Sequence, residues 1–147
     1  MPFPEPDPAA TDLAASVTVT APFTMKSGKK FWLLDADLDA PDLVSESQGN
    51  LNNLSASNKY TFRKSGTSKQ LVGWLNANLN RPIVLVVEDR DGHRRQLGEN
   101  GIYAKVESFQ ENSGKVVGDD KFIEFVVYAP GGLPYFYEGA IPLTPAP

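Results

Sequence analysis

Between Ser16 and Tyr128 apolar residues recur mostly at every second position, with turn residues about every eight to twelve residues. A period of two places the apolar side chains on one face of a strand, so most of this region predicts β-structure. Ser16–Ala21 alternates Val17 and Val19 with threonines, and Lys30–Leu34 and Lys59–Lys64 are further short strands. Pro82–Glu88 is an unbroken β-branched run, the pattern of a strand buried on both faces. Asp91-Gly92 marks a tight hairpin, because glycine accepts positive φ without a Cβ clash, and His93–Leu97 is its return strand. Ile102–Phe109 and Lys121–Tyr128 complete what reads as an antiparallel meander.

One segment breaks the period. Leu71, Trp74, Leu75 and Leu79 fall at i, i+3, i+4 and i+8, a single helical stripe. Thr67 with Gln70 fits a capping box, while Asn80 and Pro82 supply a stop, so a helix over about 67–80 is predicted. Gly73 in its interior weakens it. Its Trp stripe is expected to lie on a sheet.

Proline sets the ends apart. Residues 1–15 form a Pro-rich N-terminal arm, and residues 129–147 form a Pro/Gly-rich arm with five prolines and three glycines, compositions that oppose long regular structure. The predicted organisation is one mainly β domain over 16–128, an antiparallel β-sandwich or barrel with one flanking helix. Within it Asp35–Asn58 is polar and without sustained period, and reads as a long loop that is functional, disordered or ordered by a partner.

Composition narrows the chemistry. The chain of 147 residues has no cysteine, which removes disulfides, zinc–thiolate sites and cysteine nucleophiles. A net charge of −4 supplies no global basic field for nucleic acid, and no apolar run approaches the roughly 20 residues that span a bilayer. The start MPFPEPDPAATD has neither the basic nor the apolar region of a secretion signal, so a soluble protein with no membrane association is expected.

His93, the one histidine, stands beside Arg94 and Arg95 after the Asp-Gly turn; no neighbouring Ser or Lys motif places a reacting group on it, so a solvated hairpin residue is expected and no catalytic residue is assigned. Asp35, Asp37, Asp39 and Glu46 take positions 1, 3, 5 and 12 of a calcium-loop spacing. Ala40 and Pro41 break the required turn, however, and no paired helices flank it, so a solvated acidic loop, or one facing another subunit, is the expectation. The basic residues Lys26, Lys29, Lys30, Arg63, Lys64 and Lys69 interleave with Phe31, Trp32, Tyr60 and Phe62, a composition that serves single-stranded nucleic acid or, more often, a core. No cofactor motif is complete.

The C-terminal arm gathers Leu133, Tyr135, Phe136, Tyr137, Ile141 and Leu143. The gain from burying them is offset by the entropy of ordering an irregular segment. Such an arm either folds back over its own domain or makes assembly contacts on a neighbouring copy.

The segment Lys59–Tyr128, with the hairpin at Val86–Gly92 and the turn at Ser113–Asp119, resembles tail-tube-like structural proteins of tailed bacteriophages and prophages of Bacteroidetes hosts. The resemblance covers about half the chain and rests on turn-and-strand patterns. It implies a virion protein made in the host cytoplasm, a homo-oligomeric ring, possibly hexameric, that contacts other virion proteins. It also implies no catalytic residue and no cofactor, with DNA only as non-specific cargo in a channel. Two alternatives stand beside it. One is a carbohydrate-binding β-sandwich module with Trp32, Tyr135 and Tyr137 as platforms; the other is a capsid decoration or connector protein.

Overall fold

The two-residue period resolves into two four-stranded sheets in the computed structural model, which describes residues 3–9, 11–25, 27–28, 30–34, 42–66, 69–89, 91–98, 102–115, 118 and 121–143. A 3-10 turn at Ala15–Val17 leads into β1 (Thr18–Val19). Then come β2 (Asp42–Asn50), β3 (Asn53–Ser65), α1 (Lys69–Asn78), β4 (Leu85–Glu88), β5 (Arg94–Leu97), β6 (Lys105–Asn112), β7 (Phe122–Gly131) and β8 (Tyr135–Tyr137). The first sheet has the order β1-β8-β5-β4 and the second β2-β3-β7-β6, a sandwich-like β fold with one helix.

The main core lies between the sheets. In β7 Ile123, Phe125, Val127 and Ala129 are buried and alternate with half-buried Glu124, Val126 and Tyr128. Phe62 of β3 stands opposite Phe125, their rings stacked at 4.8 Å. Leu71 and Leu75 of α1 enter the same cluster and Trp74 packs on Phe125, so the predicted stripe does lie on a sheet. The helix stays within its predicted bounds. Asn78 Nδ2 donates to the Trp74 carbonyl at 2.8 Å, and Asn80 adopts φ 61°, which ends the helix before Pro82. Thr67, half of the predicted capping box, is outside the described residues.

A second cluster covers the far face of the first sheet. Val19, Phe23 and Tyr137 form it, with Phe3, Met25, Phe31, Tyr135 and Ile141 packed around them. The run before Glu88 therefore has two apolar faces: Leu85 and Val87 join the inter-sheet core, whereas Val84 and Val86 join the second cluster.

Several expectations need correction. The predicted loop 35–58 holds a long hairpin, with Asp42 opposite Thr61 through Asn50 opposite Asn53. Its apolar period is missing because the hairpin runs past the core, so neither face selects apolar residues. The stretch Lys30–Leu34 is not a strand. Phe31 reaches into the second cluster and Leu34 into the first, so the segment straddles the two clusters, and the Phe31 N–H donates to the Pro142 carbonyl at 2.9 Å. The predicted meander is divided, since the β4–β5 hairpin lies in one sheet and the β6–β7 hairpin in the other, joined by a bridge between Ile83 and Ala104. Of Ser16–Ala21, Thr18 and Val19 alone form strand, parallel to Phe136 and Tyr137.

The C-terminal segment also enters the sheet. Chain beyond Tyr128 completes β7, and β8 inserts between β1 and β5. Pro134 precedes the strand, where its missing N–H removes no ladder bond, and its carbonyl accepts from Arg95 Nε and Nη2 at 3.3 and 2.9 Å.

Candidate functional site

His93 follows the β4–β5 turn and takes part in its backbone bonds. The Asp89 N–H donates to the His93 carbonyl at 2.9 Å, and Asp89 Oδ1 accepts from the N–H groups of Asp91 and His93, both at 3.0 Å. This ties the turn, and Gly92 takes φ 83° within it. The imidazole and the Phe136 ring meet edge to face with centroids 5.6 Å apart, and the Arg95 guanidinium lies 4.3 Å from the centre of the same ring.

Of the calcium spacing, only Glu46 is among the described residues. Glu46 is in extended chain opposite Ser57, where a strand rise of about 3.3 Å per residue carries it away from Asp42 instead of curling it around an ion. Asp35, Asp37 and Asp39 are outside the described residues, as are Lys26 and Lys29 of the basic cluster. Of the rest, Lys30, Phe31, Trp32, Tyr60 and Phe62 come together along one groove. Arg63 pairs with Glu124 at 3.7 Å and covers Phe122, Phe62 is core, and Lys30 Nζ lies 4.6 Å above Trp32.

The three aromatic platforms do not form. Trp32 is 55% exposed, but Tyr137 is 1% exposed and Tyr135 packs in the second cluster. Of the other C-terminal candidates, Phe136 and Ile141 are half-buried, while Leu133 and Leu143 are exposed. Burial pushes the Tyr137 hydroxyl above its ordinary pKa, against the Phe23 N–H bond and the Arg94 charge.

Two surfaces remain that could act on a partner. The first is the rim of the second sheet, whose outermost strands β2 and β6 present nine and eight residues, most of them exposed. No other strand lies beside either outer edge along these spans among the described residues. Phe109 on β6 faces the core side yet is exposed, because the sheet overhangs the core there. At the opposite end β7 stops at Gly131, opposite Ala56, while β2 and β3 continue as a two-stranded tongue through Leu51. Leu51 is 86% and Leu54 62% exposed. A Cβ at Gly49 would overlap the Asn53 carbonyl, and its φ of 99° also requires glycine, which fixes the tongue's register. Sequence reasoning missed this tongue. Its signal was two isolated leucines in an Asn-rich stretch beside a glycine.

The second surface is an apolar groove of about 630 Å³ at the β4 edge. Phe31, Trp32 and Leu33 form one wall, Trp74 of α1 another, and Phe62, Val84 and Val86 lie deeper. Lys30 and Arg94 also line it, with Glu88 the one acid. The volume lies within the range of about 300–1,000 Å³ that accommodates a ligand or a few side chains. A scan against family models finds no match, and searches of curated proteins and of solved structures return no similar chain.

Proposed function

We propose that this chain is a non-enzymatic structural subunit of a phage-like particle that assembles with copies of itself into rings or a tube. The observation that carries the reading is the rim of the second sheet. Outer strands with no neighbouring strand are templates for pairing with another chain. Here β2 borders β3 from Asn53 to Thr61, β6 borders β7 from Phe122 to Tyr128, and the tongue continues beyond the core. A two-stranded ribbon is marginal in water without a face to pack on, and a neighbouring copy supplies one.

The C-terminal arm supports the reading in part. Most of its aromatic area is committed to the chain's own second cluster, which leaves Leu133 and Leu143 to reach outward. The hairpin at Val86–Gly92, one of the two turns on which the resemblance to tail-tube-like proteins rests, occupies an edge of the first sheet. In this role DNA passes only as cargo, other virion proteins cap the assembly, and the protein resides in the virion.

Light scattering coupled to size exclusion, over a wide concentration range, tests the proposal. Closed oligomers or tubes, visible by negative-stain microscopy, are expected. A strict monomer at every concentration overturns it.

A further inference from the structure

We propose that the tongue of one copy docks in the β4-edge groove of the next, giving a head-to-tail contact; this rests on the assembly reading above. The two surfaces are complementary in character. The tongue exposes Leu51 and Leu54, and the groove exposes Trp32, Leu33 and Leu143 around an apolar floor. Each leaves apolar surface in water that the other would cover.

The groove and the tongue of one chain cannot meet. Phe62, in the groove floor, and Leu54, on the tongue, both belong to β3, eight residues apart, or about 26 Å along an extended strand. Leu51 lies farther still, at the turn. A rigid strand that carries both partners at a fixed separation forces the contact between different molecules. Because the two patches differ, the contact is heterologous, and repetition produces a ring if the rotation closes and a filament if it does not.

Charge favours the same pairing. At the base of the tongue β2 carries Glu46, exposed and without a basic partner among the described residues, and residues 47–56 carry no basic group. On the groove, Lys30 has its ammonium over Trp32 with no carboxylate partner among the described residues, and Arg94 bonds the Gly139 carbonyl, leaving guanidinium donors to spare. A single acid at the tongue's base against a basic rim favours this orientation over a tongue-to-tongue contact, in which the two Glu46 carboxylates have no cation to meet.

The full chain has no cysteine, which makes engineered cross-linking clean. Leu51→Cys and Leu33→Cys chains, mixed under mild oxidation, are expected to form a disulfide-linked heterodimer, whereas Leu51→Cys mixed with Gln110→Cys is not. Leu51→Asp with Leu54→Asp, at positions too exposed to affect folding, is expected to weaken assembly at least tenfold with an unchanged melting temperature. If the parent assembles while no Leu51–Leu33 cross-link forms and the double aspartate assembles equally well, the docking inference falls and the assembly reading survives. A parent that never assembles removes both. An anilinonaphthalene sulfonate probe reports the groove's occupancy: displacement on assembly supports docking, and retention in the assembled state, marking a small-molecule site, overturns it.

Discussion

The backbone N–H of Phe23 donates to the phenolic oxygen of Tyr137 at 3.3 Å, across 114 residues of chain, and the same hydroxyl donates to the Ala140 carbonyl at 2.6 Å. One buried oxygen therefore holds the N-terminal coil to the C-terminal segment, with the two rings 5.0 Å apart. Tyr137→Phe keeps the ring and removes both bonds, leaving a buried N–H without its acceptor. The expected loss is about 1–3 kcal/mol in urea unfolding. A change smaller than the error of the fit would show that the terminal segments are not coupled through this atom.

The same burial makes stability pH-dependent at the alkaline end. Desolvation raises the pKa of both Tyr60 and Tyr137 above the ordinary 10.0. The folded chain then holds these protons more tightly than the unfolded chain does. Their contribution is fully present below about pH 10 and is lost as pH rises through the elevated folded values. The urea midpoint of the parent is expected to fall more steeply above pH 10 than that of a Tyr60→Phe, Tyr137→Phe double variant. Parallel profiles would contradict the assignment.

Gly73 offers a test with the opposite sign. It sits in the interior of α1, exposed, and a Cβ placed there meets nothing within 4 Å. Gly73→Ala removes unfolded-state freedom with no clash and is expected to stabilise the fold by about 0.5–1 kcal/mol. Thermal unfolding followed by circular dichroism measures it.

What the sequence displayed depended on whether a core lay beneath each element. β7 was legible because Phe125 and Val127 alternate against packed neighbours, and α1 because its stripe meets Phe125. β2 was illegible for the converse reason: Ser45 and Ser47 occupy its core-side positions yet are exposed, because the core reaches β3 but not this outer strand there. The assignment of hairpins to different sheets, and the insertion of three-residue β8 between β1 and β5, are set by pairings between distant segments that no local period encodes. The candidate surfaces follow the same rule. Tyr137 read as an exposed platform by composition but is buried, whereas Leu51 and Leu54 sat unnoticed in polar chain.

The β4–β5 turn ranks two neighbouring residues. Asp89 accepts two backbone N–H groups, whereas His93 contributes a single edge-on ring contact. Asp89→Ala is expected to cost about 1–2 kcal/mol, in the range of lost capping interactions, and His93→Ala less than about 1 kcal/mol. Chemical denaturation of both variants gives the order. A reversed order would move the importance of this turn from its backbone to the imidazole and reopen a role for His93 beyond packing.

The rim of the second sheet separates folding from assembly. Val44 on β2 and Phe109 on β6 are both exposed and lie on the outermost strands. Lysine at either position removes little packing from the single chain, so stability should stay within about 0.5 kcal/mol of the parent. On a strand edge, however, a lysine must be desolvated when another chain approaches, and two copies meeting there repel each other. Val44→Lys combined with Phe109→Lys is therefore expected to keep the parent's melting temperature while shifting the oligomer–monomer equilibrium toward monomer by tenfold or more, read by sedimentation velocity. A variant that melts and sediments as the parent does would place the assembly contacts away from these two strands, and one that loses stability in step with assembly would show that the rim is part of the core.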